Sequence, residues 1–204
     1  AASAKNHTHS YNNPKAQYRN KMTVEEVLND RPISWPLTLA MCAPISDGAA
    51  AAIVVSEEKA RQLGLSRAVR VAASVLRSGT NRKPDEFDKQ ITHLAANAAY
   101  EKAGLAPKDM DVAEVHDATA FAELLQVEAL GFCDFGEGGR LSAEGHTTIG
   151  GSIPVNPSGG LESRGHPIGA TGLSQVYELV TQLRGEAGPR QVDGARTAIA
   201  ENGG

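Results

Sequence analysis

The chain has 204 residues, a formal charge of −4, 41% hydrophobic residues and 4% aromatics. That acidic balance gives no basic footprint for nucleic acid or an anionic membrane surface, and no apolar run is long enough to span a bilayer. The two cysteines, Cys42 and Cys133, are too few and too far apart for a disulfide framework or a metal site, and no signal peptide is visible, so a reducing cytoplasm is the expected compartment.

Residues 1–46 are polar and irregular, with Asn-Pro at 13–14 and prolines at 32 and 36. They read as a surface excursion or linker, apart from a start that resembles the tail of a helix. Thr23 is placed to cap a short helix over Val24–Leu28. Asp47-Gly48 is turn chemistry, and Ala49–Val55 is an apolar run suited to a buried strand. Ser56 caps a helix to about Gly64. Val69–Leu76 reads as a further strand. A helix follows over about Asp85–Ala103, with Ile91, Leu94, Ala95 and Ala98 on one face and Gly104 as its stop.

Val112–Val115 is a strand that runs into His116-Asp117-Ala118-Thr119. A helix carrying Phe121, Leu124, Leu125 and Ala129 follows and ends at Gly131. The Gly/Pro-rich stretch 133–165 has the composition of a functional or mobile loop. Its charges Asp134, Glu137, Glu144 and Glu162 read as solvated. Next comes Gly165-His166-Pro167-Ile168-Gly169-Ala170-Thr171-Gly172. Pro167 suits the first helical position, and Leu173, Val176, Tyr177, Val180 and Leu183 share one face of the helix beyond it. Ala195–Glu201 reads as a buried strand entering a Gly-rich turn. Both ends of the chain look cut.

Alternating strands and helices predict an α/β layered domain with a largely parallel sheet, whose ligands bind beyond the carboxyl ends of strands. His116 and Glu201 each follow an expected strand and His166 opens a helix, so all three can meet at one edge. One imidazole would then donate to a developing oxyanion while the other acts as base. For His116 the bland alternative is a core or capping histidine bonded to Asp117 or to backbone. Cys133, between Phe132 and Phe135, reads as an inert thiol, as does Cys42 in its apolar setting. No phosphate-loop or dinucleotide fingerprint is present.

Gly165-His166-Pro167 with Gly169-Ala170-Thr171-Gly172, preceded by Asn156-Pro157-Ser158-Gly159-Gly160, resembles the signature of the thiolase superfamily. Ser46-Asp47-Gly48-Ala49-Ala50-Ala51 resembles the strand that closes the amino-terminal thiolase half. His116-Asp117, with the opening Lys5-Asn6-His7 through Asn13-Pro14 and Tyr18-Arg19, is similar to the sterol-carrier-protein-2 type. The resemblance implies a thiolase-like α-β-α fold with a mixed five-stranded sheet between helices, the second half of a duplicated fold. Residues 1–55 would end the amino-terminal half, and 56–204 would form the carboxyl-terminal domain without its last strand.

The implied activity is acyl-CoA C-acyl transfer: thiolysis of a 3-oxoacyl-CoA, or the reverse Claisen condensation. The nucleophilic cysteine would come from an amino-terminal half absent from this chain. In such a site His166 activates the thiol, His116 helps hold the thioester oxygen, backbone N–H groups at Gly203 or its neighbours help form a second oxyanion hole, and Ala118, Asn156 and Pro167 line the substrate site. Coenzyme A thioester is a substrate, and neither cofactor nor metal is implied. Family members are dimers or tetramers. The chain departs from the pattern where Glu201-Asn202-Gly203 replaces a Cys-x-Gly turn and where Ala118 replaces a cysteine. Glu201 would then transfer the proton. The same departures resemble thiolase-fold retro-aldolases that cleave 3-hydroxyacyl-CoA with a zinc-containing OB-fold partner. A non-catalytic acyl-CoA-binding subunit is the third reading.

Overall fold

A computed structural model describes residues 1–203. Helix α1 (Ala2–Ser10) opens the chain, followed by α2 (Val24–Leu28), a small antiparallel hairpin of β1 (Pro32–Ser34) and β2 (Leu37–Thr38), and α3 (Glu57–Gln62). Then come α4 (Ile91–Ala103), β3 (Val112–Glu114), α5 (Ala120–Ala129), α6 (Gly138–Ala143), α7 (Gly160–Arg164), α8 (Thr171–Leu183) and β4 (Ala198–Ala200).

Strand β3 is the centre of the layered part. It pairs in parallel with β4, Val112 opposite Ala198 and Glu114 opposite Ala200, and Ala113 makes a parallel bridge to Val155 on its other edge. Alternation along the strand sends Ala113 and Val115 to one side, where they meet Ala96 and Tyr100 of α4 and Val127 of α5. Val112 faces the other side and packs with Leu179 of α8 and Val192. Helices therefore cover both faces of a parallel sheet, as expected, but within this sheet the described residues pair only these strands and do not build five.

The missing strands are the expected ones at Ala49–Val55 and Val69–Leu76. Neither joins a ladder, and Ile53, Val54 and Leu76 are among the most exposed apolar side chains. An apolar run becomes a strand only when a neighbour takes up its N–H and C=O groups. No described segment does so here.

Three other expectations are corrected. Helix α1 is no surface excursion: Asn6 and Ser10 are fully enclosed and Lys5, His7 and His9 nearly so. Several of its buried polar side chains meet partners, as where Ser10 Oγ and Ser163 Oγ lie 2.6 Å apart and Lys5 donates to the Val155 carbonyl at 2.7 Å. The stretch 133–165 is not all loop: it folds in part into α6 and α7, and it buries Glu162 completely. Helix α8 is turned over. Its apolar members Leu173, Val176 and Tyr177 face outward, while Thr171, Gln175, Glu178 and Gln182 are buried with Leu179. The polar face is held by specific bonds: Gln182 donates to the Arg190 carbonyl at 2.8 Å, and Glu178 pairs with Arg190. Phe121 on α5 likewise points to solvent.

Candidate active site

His116 leaves the end of β3, and the chain direction there is fixed by Glu201. The Glu201 N–H donates to the Glu114 carbonyl at 2.8 Å, which continues the β3–β4 pairing, and the Glu201 carboxylate accepts the His116 N–H at 2.9 Å. The same carboxylate takes the Thr92 hydroxyl at 3.4 Å, and the backbone N–H of Gly203 also acts on it. Gln175 from α8 donates to the Glu201 carbonyl at 2.8 Å. Burial raises the Glu201 pKa above its ordinary value, against the pull of those three donors.

His166 is held from the opposite side. Its N–H donates to Ser46 Oγ at 3.0 Å, Ser46 donates to Gln17 Oε1 at 2.5 Å, and Ile45 forms a parallel bridge with His166. Gly165 is required for this approach: its φ is +116°, and a Cβ there would lie 2.9 Å from Ser46 Oγ. Pro167 is not the first helical residue. Its carbonyl takes the N–H groups of Ala170 at 2.7 Å and Thr171 at 3.0 Å, so it opens a turn that precedes α8. The imidazole of His166 nevertheless reaches the start of that helix, where Nδ1 lies 2.8 Å from Thr171 Oγ1.

The two imidazoles meet. Their ring centroids are 4.9 Å apart with planes inclined at 73°. Desolvation is the main cause that lowers both pKa values; the charge of His166 adds to it at His116, and that of Arg164 at His166. The polar side chain of Asn202 partly offsets the loss at His116, whose buried Nδ1 has no hydrogen-bond partner among the described residues. Both rings are therefore neutral at pH 7, the state that can accept a proton.

The other expected site residues lie as follows. Glu201 belongs to the site through the backbone of His116. Gly203 lies close to the Glu201 carboxylate, and its backbone N–H helps to lower the pKa of that group. Ala118 is half-buried, and its carbonyl takes the Ala43 N–H at 3.0 Å. Asn156 is fully enclosed, accepting from the Val115 N–H at 2.9 Å and donating to Glu123 at 2.9 Å. It holds strand ends together and has no face left for a substrate. The hollow beside Pro167, about 710 Å³, is lined by Lys15, Ser46, Arg164 and Tyr177 but by neither imidazole. Neither thiol belongs to the pair: Cys133 packs on the core cluster with its pKa pushed up to about 11, and Cys42 is also raised, chiefly by burial.

Asp117 does not bond His116. It points the other way, where Oδ1 accepts the Leu161 N–H at 2.7 Å at the start of α7. There it joins Glu123 and Glu162 around one amide, Asn6 Nδ2, at 3.1, 2.7 and 3.4 Å. Lys5 pairs with Glu123 at 2.9 Å and donates to the Val155 carbonyl at 2.7 Å. Asp117 is pushed well above the ordinary carboxylate range and Glu162 up to about 8, first by burial and then by their acidic neighbours. Glu162 is thus no solvated loop charge.

Sequence reasoning did not assign roles to Ser46, Thr92, Thr171, Gln175 and Asn202. Ser46 and Thr171 lie inside motif segments. Thr92 and Gln175 carry no local signal, because only the folded chain brings them to Glu201.

Residues 72–204 match the family model described as Thiolase C-terminal domain-like. The chain belongs to the thiolase family. Thiolase-related proteins align along nearly its full length. Sterol carrier protein 2 of Oryctolagus cuniculus is 48% identical over 97% of this chain and 38% of its own length. Acetyl-CoA acetyltransferase of Methanothermobacter thermautotrophicus is 49% identical over 97% of this chain and 52% of its own. Benzoylsuccinyl-CoA thiolase subunit BbsB of Thauera aromatica is 44% identical over 93% and 50%. Among solved structures, the Ltp2-ChsH2(DUF35) aldolase matches with a TM-score of 0.79 at 26% identity, over 98% of this chain and 53% of that one. The thiolase fold is shared, and this chain spans about half the length of these relatives or less. No described helix is long and apolar enough to cross a membrane, and no described cluster of His, Cys, Asp and Glu is arranged to hold a metal ion.

Proposed function

We propose that the chain is the carboxyl-terminal part of a thiolase-type acyl-CoA C-acyltransferase, acting by thiolysis of a 3-oxoacyl-CoA or by the reverse condensation. The observation that carries this reading is the edge-to-face contact of two neutral imidazoles, His116 and His166, at the end of β3. In this scheme residues 1–55 complete the amino-terminal half and 56–204 form the carboxyl-terminal domain. The acyl-accepting cysteine comes from outside the chain, since Cys42 and Cys133 both have raised pKa values and stand apart from the pair. His166 takes the thiol proton, and His116 donates to the thioester oxygen as negative charge develops there. Glu201, raised by burial, holds the proton that the leaving enolate collects. The protein is proposed to be a cytoplasmic dimer or tetramer with acyl-CoA and coenzyme A as its small-molecule partners.

A retro-aldol lyase is the second reading. It is favoured by the carboxyl group that stands beside His116 where a thiol is expected, and by the likeness to a structure titled as a DUF35 aldolase. In that reading a zinc-containing OB-fold protein is the partner, the substrate is a 3-hydroxyacyl-CoA, and no acyl-cysteine forms. The test is a pair of assays on a protein that carries both halves: CoA-dependent cleavage of a 3-oxoacyl-CoA, and CoA-independent cleavage of a 3-hydroxyacyl-CoA. Thiolysis that His166→Ala abolishes supports acyl transfer. Thiolysis retained in that variant overturns it, and cleavage of the 3-hydroxy substrate alone selects the lyase.

A further inference from the structure

We propose that Thr171 is a positioning residue that locks His166 in the Nδ1–H tautomer and so leaves Nε2 as the proton acceptor. Two short contacts meet at Thr171 Oγ1: His166 Nδ1 at 2.8 Å and the Pro167 carbonyl oxygen at 3.1 Å. A hydroxyl carries one hydrogen, a carbonyl carries none, and a neutral imidazole carries one on either nitrogen. Only one arrangement places a hydrogen on both contacts. The hydroxyl donates to the carbonyl, and Nδ1–H donates to the hydroxyl oxygen. The reverse arrangement spends the hydroxyl hydrogen on Nδ1 and leaves two oxygens facing each other at 3.1 Å with no hydrogen between them. The carbonyl also takes the N–H groups of Ala170 and Thr171, a sharing that is common at helix termini. Back-bonding of a threonine hydroxyl to the carbonyl four residues earlier is likewise habitual in helices.

The lock is rigid. Thr171 is fully buried as the first residue of α8. Its χ1 is restricted by β-branching, and the backbone of His166 is fixed separately through Ser46. The ring is thus tied at one nitrogen, with the His116 ring centroid 4.9 Å from its own. A base that must collect a proton needs a lone pair on the open side, and the bond made by the other nitrogen decides which atom carries it.

The tautomer is read without turnover, so the result does not depend on the acyltransferase reading, although its catalytic meaning rests on that reading. The measurement is the pair of imidazole 15N chemical shifts of His166 in this 204-residue chain at pH 8, where the ring is neutral. Wild type is expected to show a protonated Nδ1 and a lone-pair Nε2; Nε2–H in wild type overturns the proposal. Thr171→Ser is expected to keep the pattern. Thr171→Val, matched in shape, is expected to shift the tautomer ratio by up to about tenfold, the worth of one hydrogen bond. An unchanged ratio in Thr171→Val overturns the proposal, and should that variant fail to fold, wild type and Thr171→Ser still decide it. In a protein carrying both halves, the same loss falls on kcat with KM unmoved, and Thr171→Ser restores it.

Discussion

Stability of this chain should peak on the acid side of neutrality, because buried carboxyls and buried imidazoles titrate against each other. Glu162 has its pKa moved from 4.5 up to about 8 by burial and by Glu123. Between those values the folded chain keeps a proton that the unfolded chain has released, so raising the pH favours unfolding. His9, enclosed beside Lys5, has its pKa moved from 6.5 down to about 3. Between those values the unfolded chain takes a proton that the fold refuses, so lowering the pH favours unfolding. From pH 4.5 to 6.5 the slopes of these two groups oppose each other and cancel. Above 6.5 only the carboxyl slope remains. One proton held over 1.5 pH units corresponds to about 2 kcal/mol lost between pH 6.5 and 8, at about 1.4 kcal/mol per unit. Asp117, Glu114 and Glu201, all raised, add to the same limb. Urea denaturation followed by circular dichroism at pH 5.5, 6.5 and 8 measures it. Glu162→Gln should flatten the alkaline limb by about one proton's slope. Stability that rises from pH 6.5 to 8, or a limb indifferent to Glu162→Gln, refutes the reasoning.

Lys5→Met should destabilise the chain by about 3–5 kcal/mol, since it leaves Glu123 buried without its cation; urea midpoints check this, and adding Glu123→Gln should recover part of the loss. Gly160→Ala should cost roughly 2–5 kcal/mol, because φ is +62° and a Cβ would lie 2.1 Å from Asp117 Oδ2; a thermal melt within about 1 °C of wild type contradicts it. Glu201→Gln keeps an acceptor for the His116 N–H, so the fold should hold. The kcat–pH profile of a protein carrying both halves should lose one titration, and an unchanged profile removes Glu201 from proton transfer.

Local chemistry was legible at several helix ends, though not at Pro167, which precedes α8 rather than opening it. Thr23 and Glu26 form the capping box of α2, Ser56 caps α3, Thr119 caps α5, and Gly104 stops α4 with φ +69°. The meeting of His116 and His166 was legible as well, because strand-end and helix-start positions converge at one edge of a parallel sheet. Tertiary pairing was not. Ala49–Val55 has strand composition, but composition cannot supply the neighbouring ladder. The stripe Leu173, Val176, Tyr177 is a sound helical face, yet periodicity reports only that a face is apolar, not which of two layers covers it. The polar α1 gave no hint of burial, since what holds it in the core is Glu123, Asp117 and Ser163, all more than 100 residues away.

The His-Asp step at the end of β3 divides two environments rather than forming a dyad. Successive residues of an extended chain point to opposite faces, so His116 turns to the imidazole pair and Asp117 to the carboxyl cluster beneath it. Asp117 is fixed there by the Leu161 N–H and by Asn6, and Glu201 fixes the intervening backbone through the His116 N–H. The position of the His116 ring therefore depends on groups that never touch a substrate. Their effect on chemistry passes through geometry, because a displacement of about 1 Å at a reacting group can cost a hundredfold in rate. Asp117→Asn is the discriminating change. It keeps the Oδ1 acceptor for Leu161 N–H but turns Oδ2 into a donor facing Asn6 Nδ2, also a donor. The expected result is a lowered kcat with both histidines still neutral at pH 7; if the two imidazoles instead keep their 4.9 Å separation and full rate, the cluster serves stability alone.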